Sequence, residues 1–248
     1  MTEKVSAFMM AVLPGAPRRG RASRVALLAA VGLCGLCLHG ALSGAEGYKS
    51  EALDEKPPET VAEKVRAAVA EKGLRITDPA GKPYADVWLA RALKTQKAQD
   101  KLGVDYGHVP DGTLLAVIRF HERTGDFRGK TFPAGTFTCR KATMPEDGNH
   151  LGVAPTKDFA LLCRGEDDTT ADVVELEKVV ELSQKASKRK HPATLYLMKL
   201  FDEAKDAPRL FEDEELDYWI LDCQVPRSEK DGAPVRLSLV LVGETEEY

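Results

Sequence analysis

Apolar and polar residues change their period several times along this 248-residue chain, and each change marks an element. Val61, Val65, Ala68 and Val69 fall on one stripe at helical spacing, behind the capping box Thr60-Val61-Ala62-Glu63. That pattern predicts a helix, ended by Gly73. The stretch LRITDPAGKPYADVWLA alternates on both sides of Asp78-Pro79-Ala80-Gly81, as a β-hairpin does. Further strands are predicted over 114–120, 136–140, 159–163, 193–200, 218–225 and 235–242. Between them lie turn residues such as Pro110-Asp111-Gly112, Pro133-Ala134-Gly135 and Asp231-Gly232. A second helix is expected over 170–186, with Val173, Leu176, Val179, Val180 and Leu182 on its apolar side. Lys185, Lys188, Arg189 and Lys190 fall at its end, where the helix dipole favours positive charge. Short strands joined by turns, with one leading and one inserted helix, argue for a mainly β fold. We read it as an antiparallel β-sandwich.

The first 45 residues follow a different rule. Arg18, Arg19, Arg21 and Arg24 precede an apolar run over 25–38, and Ser43-Gly44-Ala45 supplies the small residues a signal peptidase reads. The apolar run is shorter than the roughly 20 residues of a membrane span. Residues 1–45 therefore read as a signal peptide, and the expected mature N-terminus is Glu46, which the mass of exported protein reads directly. The expected location is secreted or periplasmic, with no stable membrane anchor after cleavage. Residues 46–58, which include Pro57-Pro58, read as a polar linker, and 59–248 as a single domain.

Removing the leader sharpens the charge. It holds five of the 35 Lys and Arg and one of the 39 Asp and Glu, leaving 30 basic against 38 acidic side chains, a net −8. An acidic chain without a concentrated basic face excludes nucleic acid as a partner class. The expected partner is an unknown ligand or protein.

The segments VPDGTLLAVIRF, DFRGKTFPAGTFTCR and MPEDGNHLGVAPTKDFALL resemble a group of uncharacterised secreted bacterial β-rich proteins. The resemblance runs over roughly 74–200, and its most specific piece is Asp147-Gly148-x-His150-x-Gly152-Val153. It implies an exported single-domain β protein and, with no activity assigned to the group, lends no catalytic residues.

Several chemical motifs fail on inspection. Cys34-Gly35-Leu36-Cys37-Leu38-His39 has one residue too many for haem attachment and lies in the leader. His121-Glu122-Arg123-Thr124-Gly125 has glycine where a zinc helix needs its second histidine. A blue-copper set is missing, because no histidine and methionine closely follow Cys139, Cys163 or Cys223. The acidic runs Glu166-Asp167-Asp168 and 212–217 lack calcium-loop spacing and read as solvated turns. Strand parity places Cys139, Cys163 and Cys223 with large apolar neighbours, as small core residues. One disulfide, Cys139–Cys163, is allowed in an oxidising compartment.

Two readings of the connection between the strands at 136–140 and 159–163 stay open. Asp147-Gly148-Asn149 is turn chemistry, and His150 can pin the loop by a backbone hydrogen bond. Alternatively, His150, His191 and Asp147 (or another nearby carboxylate) could bind Zn²⁺ or another divalent ion, or serve a hydrolase. The leading expectation is an exported, non-enzymatic binding or structural module without a cofactor. The metal protein is its rival.

Overall fold

The computed structural model describes residues 47–98, 101–145, 156–202, 206–229 and 232–244. Among these described residues, two helices and twelve strands follow one another as β1 (Lys49–Leu53), α1 (Glu63–Ala68), β2 (Gly73–Thr77), β3 (Pro83–Leu89), β4 (Leu114–Phe120), β5 (Thr124–Gly125), β6 (Thr131–Phe132), β7 (Gly135–Thr143) and β8 (Asp158–Arg164). They continue as α2 (Leu176–Ser187), β9 (Thr194–Leu197), β10 (Arg209–Asp213), β11 (Tyr218–Val225) and β12 (Val235–Val242). No described helix is long and apolar enough to cross a membrane.

Ten strands form one sheet in the order β1-β2-β3-β4-β7-β8-β9-β12-β11-β10, and β5 pairs only with β6. All the pairings within the sheet are antiparallel. The sheet curls until β1 and β10 approach one another, so the fold is mainly β and nearly barrel-shaped. The sequence pattern led us to expect a two-sheet sandwich. A single sheet instead runs continuously from β1 to β10, and its own curvature encloses the core that a second sheet would have covered.

The alternation of each strand explains the enclosure. Val87, Ile118, Phe137, Leu162, Leu197 and Leu237 point to the concave side and belong to one buried cluster. Each such side chain contributes about 1.5–3 kcal/mol on burial. The convex side is apolar only where something covers it. There α1 and its flanks bury Trp88 and Val117, with the Trp88 indole N–H donating to Glu55 O at 2.8 Å. On the other limb α2 covers Phe159, Leu161 and Cys163.

Local chemistry matches the hairpin between β2 and β3. Asp78 Oδ1 accepts from the backbone N–H of Ala80 (2.9 Å) and Lys82 (2.8 Å), and Gly81 takes φ +77°. Other expectations shift. The first helix starts at Glu63 with Ala62 as its N-cap and no side-chain cap, so the Thr60 capping box does not form. The supposed linker contains β1, an edge strand with four of its five residues exposed, which is why its sequence looks polar. The second helix starts six residues later than expected, because the chain before it is held in a loop.

Cys139, Cys163 and Cys223 are buried and free. The Cys139–Cys163 bridge, which the sequence only allowed, is not formed, and the register opposes it. Thr138 lies opposite Cys163 and Leu162 opposite Cys139, so the two thiols project from opposite sides of the sheet. Cys139 and Cys223 lie in the enclosed core, Cys163 under α2. Burial raises all three thiol pKa values, those of Cys163 and Cys223 to about 12. A thiol-alkylating reagent at pH 8 should leave all three unmodified in the native protein and modify all three in denaturant, as read by peptide mapping. Rapid native labelling of any of them would show that the strand faces are misassigned.

Candidate functional site

The loop before α2 is fixed by a buried ion pair. Arg140 projects from the convex side of β7, and all of its guanidinium N–H directions are occupied. Nε and Nη2 donate to the two Asp168 oxygens at 2.6 and 2.8 Å. Nη1 donates to Gly112 O and Asp172 O at 2.6 and 2.9 Å, and Nη2 also to Thr170 O at 2.6 Å. Thr138 Oγ1 adds a hydrogen bond to Asp168 Oδ2 at 2.5 Å. Asp168, expected in a solvated turn, is 1% exposed. Gly112 closes the arrangement at φ +81°. A Cβ there would come within 1.7 Å of Val174 O, so no other residue fits. The clasp delivers the chain to Leu176 in place for α2 to lie along β8.

Between α2 and the sheet lies a cleft of about 330 Å³. Phe159 and Leu161 of β8 form its floor and Leu176 and Val180 of α2 its roof, with Phe127 at one end. Ring contacts stiffen that end: Phe127 lies 4.4 Å from Tyr196 and 5.5 Å from Phe159, centroid to centroid. The cleft also takes in Arg128, Lys190, His191 and Thr194, so an apolar interior meets a basic lip.

Two polar atoms on this cleft are anomalous. Thr194 is 7% exposed, lies on the convex side opposite Leu161, and its Oγ1 has no hydrogen-bond partner among the described residues. Arg128 is anchored through Nη2 to Asp126 Oδ2 (2.8 Å) and Pro192 O (2.9 Å), yet its buried Nε lacks a partner. A buried hydrogen-bonding group left unmet costs about 1–3 kcal/mol, and more when charged. Thr113 Oγ1 and Asp158 Oδ1, away from this cleft, are in the same position among the described residues.

Most other candidates hold the fold together or are small. Lys141 is buried at one end of the enclosed core, with Nζ 2.8 Å from Asp111 Oδ1, against Thr143 Oγ1, and 3.4 Å from Asp158 Oδ1. Asp158 Oδ2 accepts from the backbone N–H of Asp105 (2.6 Å) and Tyr106 (3.2 Å). The cluster pins a connecting segment over the core, and the hollow beside it is only about 40 Å³. A hollow of about 400 Å³ is lined by Tyr48, Tyr84 and Trp219 with Asp126, Asp217 and Glu244. None of its buried side-chain polar atoms lacks a partner.

Asp86 and Asp222 are likewise committed to structure. Burial pushes the Asp86 carboxyl up, but hydrogen bonds from Arg75, Arg119 and His121 together hold it below its ordinary value. Asp222 is treated the same way by Arg236, Arg209 and Ser238. His121 Nε2, which the failed zinc motif had singled out, lies 2.7 Å from Asp86 Oδ2.

Of the residues proposed from sequence for a metal, His191 lies on the lip of the cleft, exposed, while Asp147 and His150 lie outside the described residues. His108 stacks on Tyr106 at 6.1 Å, and burial lowers its pKa. Among the described residues no three His, Cys, Asp or Glu side chains gather as metal ligands would. Sequence reasoning missed Arg128 and Thr194. The one available signal was Thr194 at an outward position in an otherwise apolar strand.

Compared with family models, curated proteins and solved structures, the chain matches none. The site is therefore read from its own geometry.

Replacing Arg140 with leucine should strand the buried Asp168 carboxylate and lower unfolding free energy by about 3–5 kcal/mol, the usual cost of breaking a buried pair. Urea denaturation measures it. An unchanged midpoint would mean that the clasp does not organise the α2 limb.

Proposed function

We propose that this chain is an exported, non-enzymatic binding protein whose ligand occupies the cleft between α2 and the convex side of β8 and β9. One observation carries the reading: a cleft of about 330 Å³ joins an apolar interior of Phe159, Leu161, Leu176 and Val180 to a lip carrying Arg128, Lys190 and His191. Export rests on the leader motif of residues 1–45. Asp86, Asp168 and Asp222 are held by arginines and Asp158 by Lys141 and two backbone N–H groups, which supports a binding role over acid–base chemistry.

A neutral apolar dye, N-phenyl-1-naphthylamine, should bind with enhanced fluorescence. Filling the cleft by Val180→Trp should weaken it about tenfold or more, equivalent to about 1.4 kcal/mol. Dye binding unaffected by that substitution would move the site elsewhere.

A metal site remains a competing proposal, favoured by one observation: His191 lies on the same cleft as Pro145, the last described residue before the segment carrying Asp147 and His150. Bound Zn²⁺ would stabilise the fold by linkage. We expect thermal melts of wild type and His191→Ala to be unchanged by Zn²⁺. A zinc-dependent rise in wild type alone would favour the metal reading.

A further inference from the structure

The hollow of about 400 Å³ lies where the two ends of the sheet meet, and it shares no lining residue with the α2 cleft. Three rings supply its apolar wall. Tyr48, just before β1, stands between Tyr84 of β3 and Trp219 of β11, at 5.2 and 5.4 Å centroid to centroid. The ring planes meet at 74° and 52°, so the three are set at angles rather than stacked. All three are half-buried, which leaves part of each ring accessible. Their positions are fixed. The Tyr84 hydroxyl donates to Leu241 O at 3.1 Å, and the chain at Gly47 packs so closely on the Trp219 indole that a Cβ there would collide with it.

Every charge on this wall has one sign. Asp126, Asp217 and Glu244 line the hollow with the rings, and no Lys, Arg or His does. Asp126 is buried and committed to Arg128 and to the backbone N–H groups of Arg128 and Lys130. Asp217 and Glu244 are exposed, and neither carboxylate pairs with another described residue. Glu244 lies over the turn between β5 and β6, its oxygens 3.3 and 3.6 Å from where a Cβ would stand on Gly129 and Gly125. Its charge therefore sits at the wall that Gly125 and Asp126 form. Aromatic faces draw cations, quaternary ammonium above all, and the two unpaired carboxylates add to the same field. A chelated metal is a poor match, since no three His, Cys, Asp or Glu side chains gather among the described residues. The buried polar side-chain atoms of this wall are all partnered, so it suits a cation clad in methyl groups.

We infer that this hollow binds a small alkylated ammonium ion, its head group against Tyr48, Tyr84 and Trp219 and its charge balanced by Asp217 and Glu244. A phosphate attached to that head group would meet the same two carboxylates. The ligand is therefore a free cation rather than the head group of a phospholipid. This second site is independent of the α2 cleft and stands whether or not that cleft is occupied.

Choline is the probe, compared with its uncharged carbon isostere 3,3-dimethyl-1-butanol and with phosphocholine. Each is titrated against the full chain by saturation-transfer NMR of its methyl protons. Choline should bind about tenfold or more tighter than the isostere, the scale of a partly desolvated cation–π contact. It should bind about threefold or more tighter than phosphocholine. A double variant, Asp217→Asn with Glu244→Gln, removes both charges and keeps the shape, and asparagine tolerates the φ of +55° at position 217. It should cut choline affinity about fivefold or more while leaving the isostere within about twofold. Trp219→Leu should weaken choline by about fivefold or more. Melts confirm that both variants are folded. Isostere binding as tight as choline, or undiminished choline binding by either folded variant, overturns the assignment of a cation to these residues. Phosphocholine binding as tight as choline overturns the free cation in favour of a lipid head group. If choline does not bind at all, the site itself is refuted.

Discussion

A single guanidinium fixes the approach of the chain to α2. Arg140 faces outward from the longest strand of the sheet, at a position that would leave its charge under protein with no water, and it is met on every side. The Asp168 carboxylate answers the charge, and the carbonyls of Gly112, Thr170 and Asp172 take the remaining donors. Such a pair is a weak source of net stability, because desolvating two ions offsets most of their attraction. Its effect is on arrangement. Three stretches distant in sequence must come to one point before the arginine is satisfied, and only then does α2 reach its place along β8.

Two stretches of the convex face that lie beyond the helices use a related device. Arg75, Asp86 and Arg119 stand side by side across β2, β3 and β4, and Arg209, Asp222 and Arg236 do so across β10, β11 and β12. In each ladder a fully buried carboxylate is screened by two partly exposed arginines. Where helices cover the sheet, its convex side is apolar. Where they do not, it is ionic but still closed.

Alternation made the central strands legible, since Leu114–Phe120 and Val235–Val242 repeat apolar residues and lie between turn residues. It could not show the edge strands, because β1 is mostly exposed and β10 half-buried throughout, so both lack the contrast that the pattern depends on. Nor could it separate one curled sheet from two stacked ones. Both need strands with an apolar side, and the difference lies in curvature. Asp168 looked like a solvated turn residue because its partner lies 28 positions away and nothing local reveals it. The cleft was hidden for a similar reason. Of its polar residues only His191 had been picked out, by residue type, while Arg128 and Thr194 are ordinary until the fold sets them beside α2.

The unclosed seam between β1 and β10 has a consequence for the molecule among its neighbours. A fully hydrogen-bonded barrel has no edge to offer another chain, whereas this sheet keeps two. Both are five residues long, and they carry Lys49 and Glu51 on one side and Arg209, Glu212 and Asp213 on the other. Short strands studded with charge are poor templates for strand addition. In a crowded compartment the seam can therefore stay open without inviting the chain-on-chain growth that leads to fibrils.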